Sequence, residues 1–257
     1  MRVADYSPSR RADVADLIAR VWGKRPDEAE LEWFYERNPV RPASVLLAEE
    51  DGRVVGSVAI SFQPLEKRVV GFAVHLATDP SYRGRGIFSE LQATNEDRAR
   101  AAGVSLLLTV PTPESARILT GKLGWTALPP LRVWARPWVP VKLDARPVEQ
   151  FDDAWLDWRF ANAPRPYTLL AGQGHAVVGK RGRVGFVAAL DGNLLADACA
   201  AARGVAVLAI PPPGQRGRYL RAGFLPTPKT FTLLGKSLYG APLPERPHIE
   251  LGDLDFM

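Results

Sequence analysis

The chain has 257 residues, enough for one large or two small domains, and with 46% hydrophobic residues it can build a sizeable core. Its net charge of +5 is carried by scattered arginines with no block of like charge, which argues against nucleic acid as the main partner. No run approaches the roughly 20 apolar residues of a membrane span, and a single cysteine, Cys199, excludes an intrachain disulfide framework.

The first predicted helix begins at Ser9-Arg10-Arg11. Val14, Leu17, Ile18 and Val21 form its apolar stripe, and Gly23 can end it. A second helix, PDEAELEWFYER, stops before Pro39. VLLAEE and RVVGSVAISF flank Asp51-Gly52, which signals a hairpin. Lys67 to Ala77 reads as another strand. TDPSYRGRGIFSEL follows and leads into an amphipathic helix with Gly103 as its stop signal. Val104 to Val110 has the unbroken apolar character of a buried strand. PESARILTGKLGW reads as a helix, and Arg132 to Trp138 as the strand that closes this first part. The order of elements is α α β β β α β α β, which predicts an α/β fold with a mixed central sheet and packed helices.

Pro137 to Pro147 is proline-rich and reads as a linker. Beyond it, LDWRFANAP repeats the pattern of LEWFYERNP, so that Trp158 answers Trp33 and Phe160 answers Tyr35. YTLLAG, AVVGKR and VGFVAAL then read as strands. A helix (NLLADACAAAR), a buried strand (VAVLAI), a short helix and a last strand (KTFTLLGKSL) follow. Gly223-Phe224 mirrors Gly124-Trp125. Two related halves are expected, 1–138 and 139–257.

The chemistry concentrates at Arg83, Gly84, Arg85 and Gly86. Glycines there allow a sharp turn and leave amides unshielded. A helix starting just after points its free N–H groups and positive dipole end at the same spot. Strand, glycine-basic turn and helix together suit a pyrophosphate, although such a string also fits a solvated basic turn. The arrangement resembles the acyl-CoA loop of the GNAT superfamily of N-acetyltransferases, in which Arg or Gln is followed after two residues by Gly, and after one more by Gly or Ala. Arg83 and Gly86 match this pattern. Phe88 stands where the family has a small residue. Asp79-Pro80 and Tyr82 also look like the family.

The resemblance implies two GNAT-like halves, with acetyl-CoA or another acyl-CoA as co-substrate. It places the thioester arm on the backbone of Leu76, Ala77 and Thr78, and the diphosphate on Arg83, Gly84, Arg85, Gly86, Ile87, Phe88 and Ser89. In the second half only Asp191-Gly192-Asn193 stands in the loop's place, and Gly214 to Arg218 lies too late in the chain. That half is expected to shape the acceptor pocket.

Relatives place a Glu or His base where Phe72 stands here, and a Tyr acid where Thr120 stands; an Asn of the same motif is Pro113, although Ala116 matches. The remaining catalytic candidates are His75, which strand alternation turns away from Phe72 and Val74, and Tyr35 on the second helix. Glu114 and the closing carboxylates Glu250, Asp253 and Asp255 are further sources. His75, His175 and His248 lack metal-ligand spacing, so no metal is expected.

The expected activity is acetyl transfer to a small-molecule or glycan-linked amine. A non-catalytic acyl-CoA binder and an aminoacyl-tRNA-dependent transferase of the peptidoglycan type stay open. A cytoplasmic protein without membrane or nucleic-acid partners is expected, and a homodimer is compatible with the chain.

Overall fold

A computed structural model describes residues 1–65, 68–140, 142–240 and 242–254. The chain forms two compact units, each completed by a segment from far along the sequence.

The first unit comprises Met1–Leu128 and Leu233–Pro244. Strands β1 (Arg2–Asp5), β2 (Ser44–Glu50), β3 (Arg53–Leu65) and β4 (Arg68–Thr78) form an antiparallel ladder. The β2–β3 hairpin turns at Asp51 and Gly52, whose φ angles of 51° and 76° are those a type I′ turn requires. Helices α1 (Arg11–Trp22) and α2 (Glu28–Glu36) precede the hairpin. α1 buries Val14, Ala15, Leu17 and Ile18 and stops at Gly23, which is left-handed at φ 76°. Asp27 caps α2 by accepting from the Ala29 amide at 2.9 Å.

After β4 come α3 (Ile87–Ala101), β5 (Leu106–Thr109) and α4 (Pro113–Lys122). β5 runs parallel to β4 but pairs with it only at Gly71↔Leu107 and Phe72↔Leu108. The last residues of β4 continue beyond the end of this short ladder, so the two strands part there. Ile60, Phe62, Ala73, Leu107, Leu119 and Trp125 form one apolar cluster behind them. The Ile, Leu and Phe side chains among them each contribute about 1.5–3 kcal/mol through burial.

The second unit comprises Pro129–Thr232 and the chain from Glu245 onward. It contains β7 (Arg146–Val148), α5 (Ala154–Leu156, prolonged by a π turn through Ala161), β8 (Thr168–Gly172), β9 (Gly174–Arg181) and β10 (Val184–Leu190). α6 (Leu195–Ala201), β11 (Ala206–Ala209) and α7 (Arg216–Arg221) complete the series. Strands β7 to β10 are antiparallel neighbours, and β11 runs parallel to β10. The plan of the first unit is thus repeated. Trp158 and Phe160 are buried like Trp33 and Tyr35. Cys199 lies in the core of this unit, and burial pushes its thiol pKa up, as expected of a packed residue rather than a nucleophile.

The closing strands correct the sequence reading. β6 (Thr126–Pro137) does not close the first unit. Its residues Trp134 to Pro137 pair with Ala209 to Ala206 of β11. Conversely β12 (Leu225–Ser237) runs on until Leu234 to Ser237 pair with Thr109 to Leu106 of β5. The compact units therefore differ from the continuous segments 1–138 and 139–257. The alternation of a strand records that one face is buried but not which strand lies beside it. Inside the first unit, Lys236 of β12 binds buried Glu96 of α3. Glu96 also accepts from the Trp125 indole at 2.7 Å and from Gln92 at 3.2 Å. A charge that is 3% exposed needs such partners.

Candidate active site

The site candidates of the first unit gather at the end of β4. Regular alternation would put His75 on the same side as Ala73. Ala73 packs in a cluster with Ala99, Val104 and Leu107, and Leu76 and Phe88 border that cluster. His75 instead faces the other way, against Trp22, Phe34 and Tyr35, with ring centroids 6.2, 5.2 and 5.5 Å away. The cause is a β-bulge. Val74 pairs with Ala59 and Ala77 with Ser57, so His75 and Leu76 together oppose Val58. His75 takes a φ of 50°, a left-handed conformation that His tolerates better than branched residues. The expectation that alternation fixes the direction of His75 is corrected by this extra residue.

The bulge brings the two catalytic candidates together. The Tyr35 hydroxyl lies 2.8 Å from His75 Nδ1. Tyr35 is 2% exposed, and burial, aided by neighbouring Tyr6, pushes its phenol far above the ordinary range. It therefore stays protonated and can hold the imidazole in one orientation. Tyr6 stacks edge-on against Tyr35 at 5.2 Å and donates to Glu36 at 2.8 Å. Burial and that carboxylate raise the Tyr6 pKa to about 12.

The glycine-basic turn follows directly. Gly84 and Gly86 have φ angles of 79° and 82°, and an added Cβ at either would meet nothing within 4 Å. Both glycines thus face open space in a conformation costly for other residues. Gly86 caps the 15-residue helix α3, and no side chain caps its first amides. Ile87 is buried against Leu46, Val58 and Leu91, and Phe88 borders the same cluster, so its ring packs inward where a small residue was expected. Arg83, Arg85 and the two glycines are exposed. Arg83 reaches the Thr78 carbonyl at 3.4 Å. Arg85 stacks on Tyr82 at 4.8 Å and meets Glu50 at 3.2 Å. Exposed guanidiniums beside unshielded amides suit an anionic ligand.

Asp79 holds the loop in place, a role not anticipated from the sequence. Its carboxylate pairs with Arg20 at 2.8 Å and Arg53 at 3.4 Å, and accepts from the Ser81 amide at 3.1 Å. Burial alone would raise its pKa; Arg20, the Ser81 amide and Arg53 outweigh burial and hold it below the usual value. Trp22 was also missed. It is 48% exposed at the end of α1, beside His75, and no periodic signal distinguishes it.

The other acid–base candidates are engaged elsewhere. Thr120 donates to the Ala116 carbonyl at 2.9 Å within α4. Glu114 sits at the exposed start of α4, where its own backbone amide and the Thr112 hydroxyl hold its pKa down. Glu250 accepts from the Leu190 amide at 3.1 Å, and Asp253 accepts from the Glu250 amide at 2.8 Å, both inside the second unit. Asp255 lies outside the described residues.

The second unit repeats the bulge but not the chemistry. The register of β10 on β9 shifts between Val187 and Ala189, which leaves Ala188 extra. Gly252, in the turn Leu251–Leu254, sits on this spot. An added Cβ there would come within 2.5 Å of the Ala188 carbonyl oxygen and 2.9 Å of the Phe160 ring. Arg159 donates to the Gly252 carbonyl. Among the described residues no cluster of three or more His, Cys, Asp or Glu is placed to hold a metal, and no helix is long and apolar enough to cross a membrane.

Residues 2–128, just under half of the chain, match the family model described as acetyltransferase (GNAT) domain. Solved structures share the fold. A GCN5-related N-acetyltransferase from Kribbella flavida superposes with a TM-score of 0.69 at 15% identity, over 92% of this chain and 70% of that one. A second such enzyme, from Anabaena variabilis, gives 0.65 at 13%, over 92% and 72%. A tandem GNAT protein from the clavulanic acid biosynthesis pathway gives 0.62 at 13%, over 94% and 99%. No curated protein sequence matches the chain. The chain thus has the mixed α/β fold of GNAT proteins, and its first half is similar to the GNAT acetyltransferase domain.

Proposed function

We propose that the first unit binds acetyl-CoA and transfers its acetyl group to the amine of a small-molecule or glycan-linked acceptor. The observation that carries this reading is the Tyr35–His75 pair, set by a bulge at the end of β4, a few residues before the glycine loop. In this reading the amides after Gly84 and Gly86 hold the diphosphate, with Arg83 and Arg85 at its rim. The thioester arm lies along Leu76, Ala77 and Thr78, where β4 has parted from β5.

The acceptor nitrogen attacks the thioester carbonyl carbon, and the carbon–sulfur bond breaks. Backbone amides near the bulge stabilise the charge on the carbonyl oxygen. His75 Nε2 takes the proton that the amine loses, while Nδ1–H donates to the Tyr35 oxygen. Tyr35 positions His75 and does not itself reach the reacting atoms, because it is buried. The sulfur leaves as the thiolate and takes its proton from water, since no acid candidate of the chain stands at that position. The second unit forms no equivalent centre, since Phe160 and Ala188 cannot titrate and Gly252 fills their surroundings.

The test is thiol release from acetyl-CoA over a panel of amines. The reading predicts turnover with at least one amine and its loss in His75→Gln. CoA binding without turnover on any amine would favour a non-catalytic binder. Charged tRNA displacing CoA would favour aminoacyl transfer.

A further inference from the structure

The second unit contains a pocket lined by its own residues alone. It opens where β11 ends and the chain turns through Ile210 and three consecutive prolines. The Pro129-Pro130 segment of β6 and the stretch Arg246–Ile249 complete its walls. It is an open cleft that encloses only about 60 Å³, so a ligand would rest in its mouth and not be engulfed. Trp134, Leu131 and Ile249 line it and are buried, so the floor is apolar.

Three guanidiniums line the same space: Arg132, Arg216 and Arg246. All three are exposed, and none pairs with a carboxylate among the described residues. Arg132 makes one contact, with the Thr227 carbonyl at 3.4 Å. This differs from arginines elsewhere in the protein: Arg10, Arg11, Arg20 and Arg25 each meet an acid. Proline walls are rigid and give up little entropy when a ligand docks. The chain just beyond Arg246 is anchored, because Glu250, Gly252 and Asp253 are tied to the Leu190 amide, Arg159 and the Glu250 amide.

We infer that this pocket binds a small organic anion, with a carboxylate or phosphate head on the arginines and an apolar body against Trp134. Guanidinium forks match both heads in geometry and charge. The site shares no residue with the glycine loop, and the inference does not depend on the acyl-transfer reading.

Benzoate, phenyl phosphate and phenol, titrated into the whole protein by calorimetry and by NMR of the Trp134 indole N–H, test it. The anions should bind at one site and shift that signal, whereas phenol should not bind. The tighter of the two identifies the preferred head. Arg216→Gln with Arg246→Gln should weaken the anion about tenfold or more while leaving CoA affinity unchanged. Arg132→Gln serves as a second variant if the pair does not fold. Excess CoA should not displace the probe. Absence of anion binding, equal binding of phenol, indifference to the arginine variants, or displacement by CoA would each overturn the inference.

Discussion

The two units share a plan and differ at one place. Each has an antiparallel ladder, a bulged strand, a parallel neighbour that pairs over only two or three residues, and a helix between them. In the first unit the bulge presents His75 to Tyr35, and the loop beyond it exposes two glycines and two arginines. In the second the same positions hold Ala188 and Phe160, and Gly252 is packed on them. Both units bury their strands in a core; only the first brings titratable side chains together at its bulge, and in the second the chain itself, at Gly252, covers that position.

The largest effect should come from the exchanged strand. Lys236→Met leaves Glu96 buried without its cation and should destabilise the protein by about 3–5 kcal/mol in denaturant unfolding. A loss under about 1 kcal/mol would mean that β12 does not complete the first unit. His75→Gln should lower kcat by about 100-fold with CoA affinity unchanged. A variant at Ala188 should leave kcat alone. Gly252→Ala should cost about 1–3 kcal/mol through the clash with Ala188 and Phe160, again without touching CoA affinity. If it weakened CoA binding instead, the distinction between the units would fail.

Asp79→Asn should cost about 1–2 kcal/mol and loosen the loop, seen as faster amide exchange at Arg83 to Gly86. The folded pKa of Asp79 lies below its unfolded value of 3.8. Its contribution is therefore present above that pH and is lost as pH falls through the folded value. The gap between wild type and variant should close toward the acid end. A gap that widened there would contradict the role given to Arg20.

Much of this was legible in the residues. Asp51-Gly52, Gly23 and the apolar stripe of α1 announce local structure, because short-range sterics and periodicity decide it. The glycine loop was legible for the same reason. The direction of His75 was not: one inserted residue reverses alternation, and a positive φ at His has no compositional signature. The exchange of β6 and β12 was hidden because pairing across about a hundred residues leaves no local trace. Asp79 with Arg20 and Arg53 was hidden for the same reason. The closing segment shows only its carboxylates Glu250, Asp253 and Asp255 in the sequence, and its contacts with β10 reveal what it covers.

Calorimetric titration of CoA into the wild-type protein and Gly86→Asp tests the central claim most directly. A side chain there must adopt a φ of 82°, and a carboxylate would face the diphosphate. The account predicts a single site per chain in the wild type and a loss of affinity of about 100-fold or more in the variant, with the fold intact. Two sites per chain, or undiminished binding by Gly86→Asp, would contradict it.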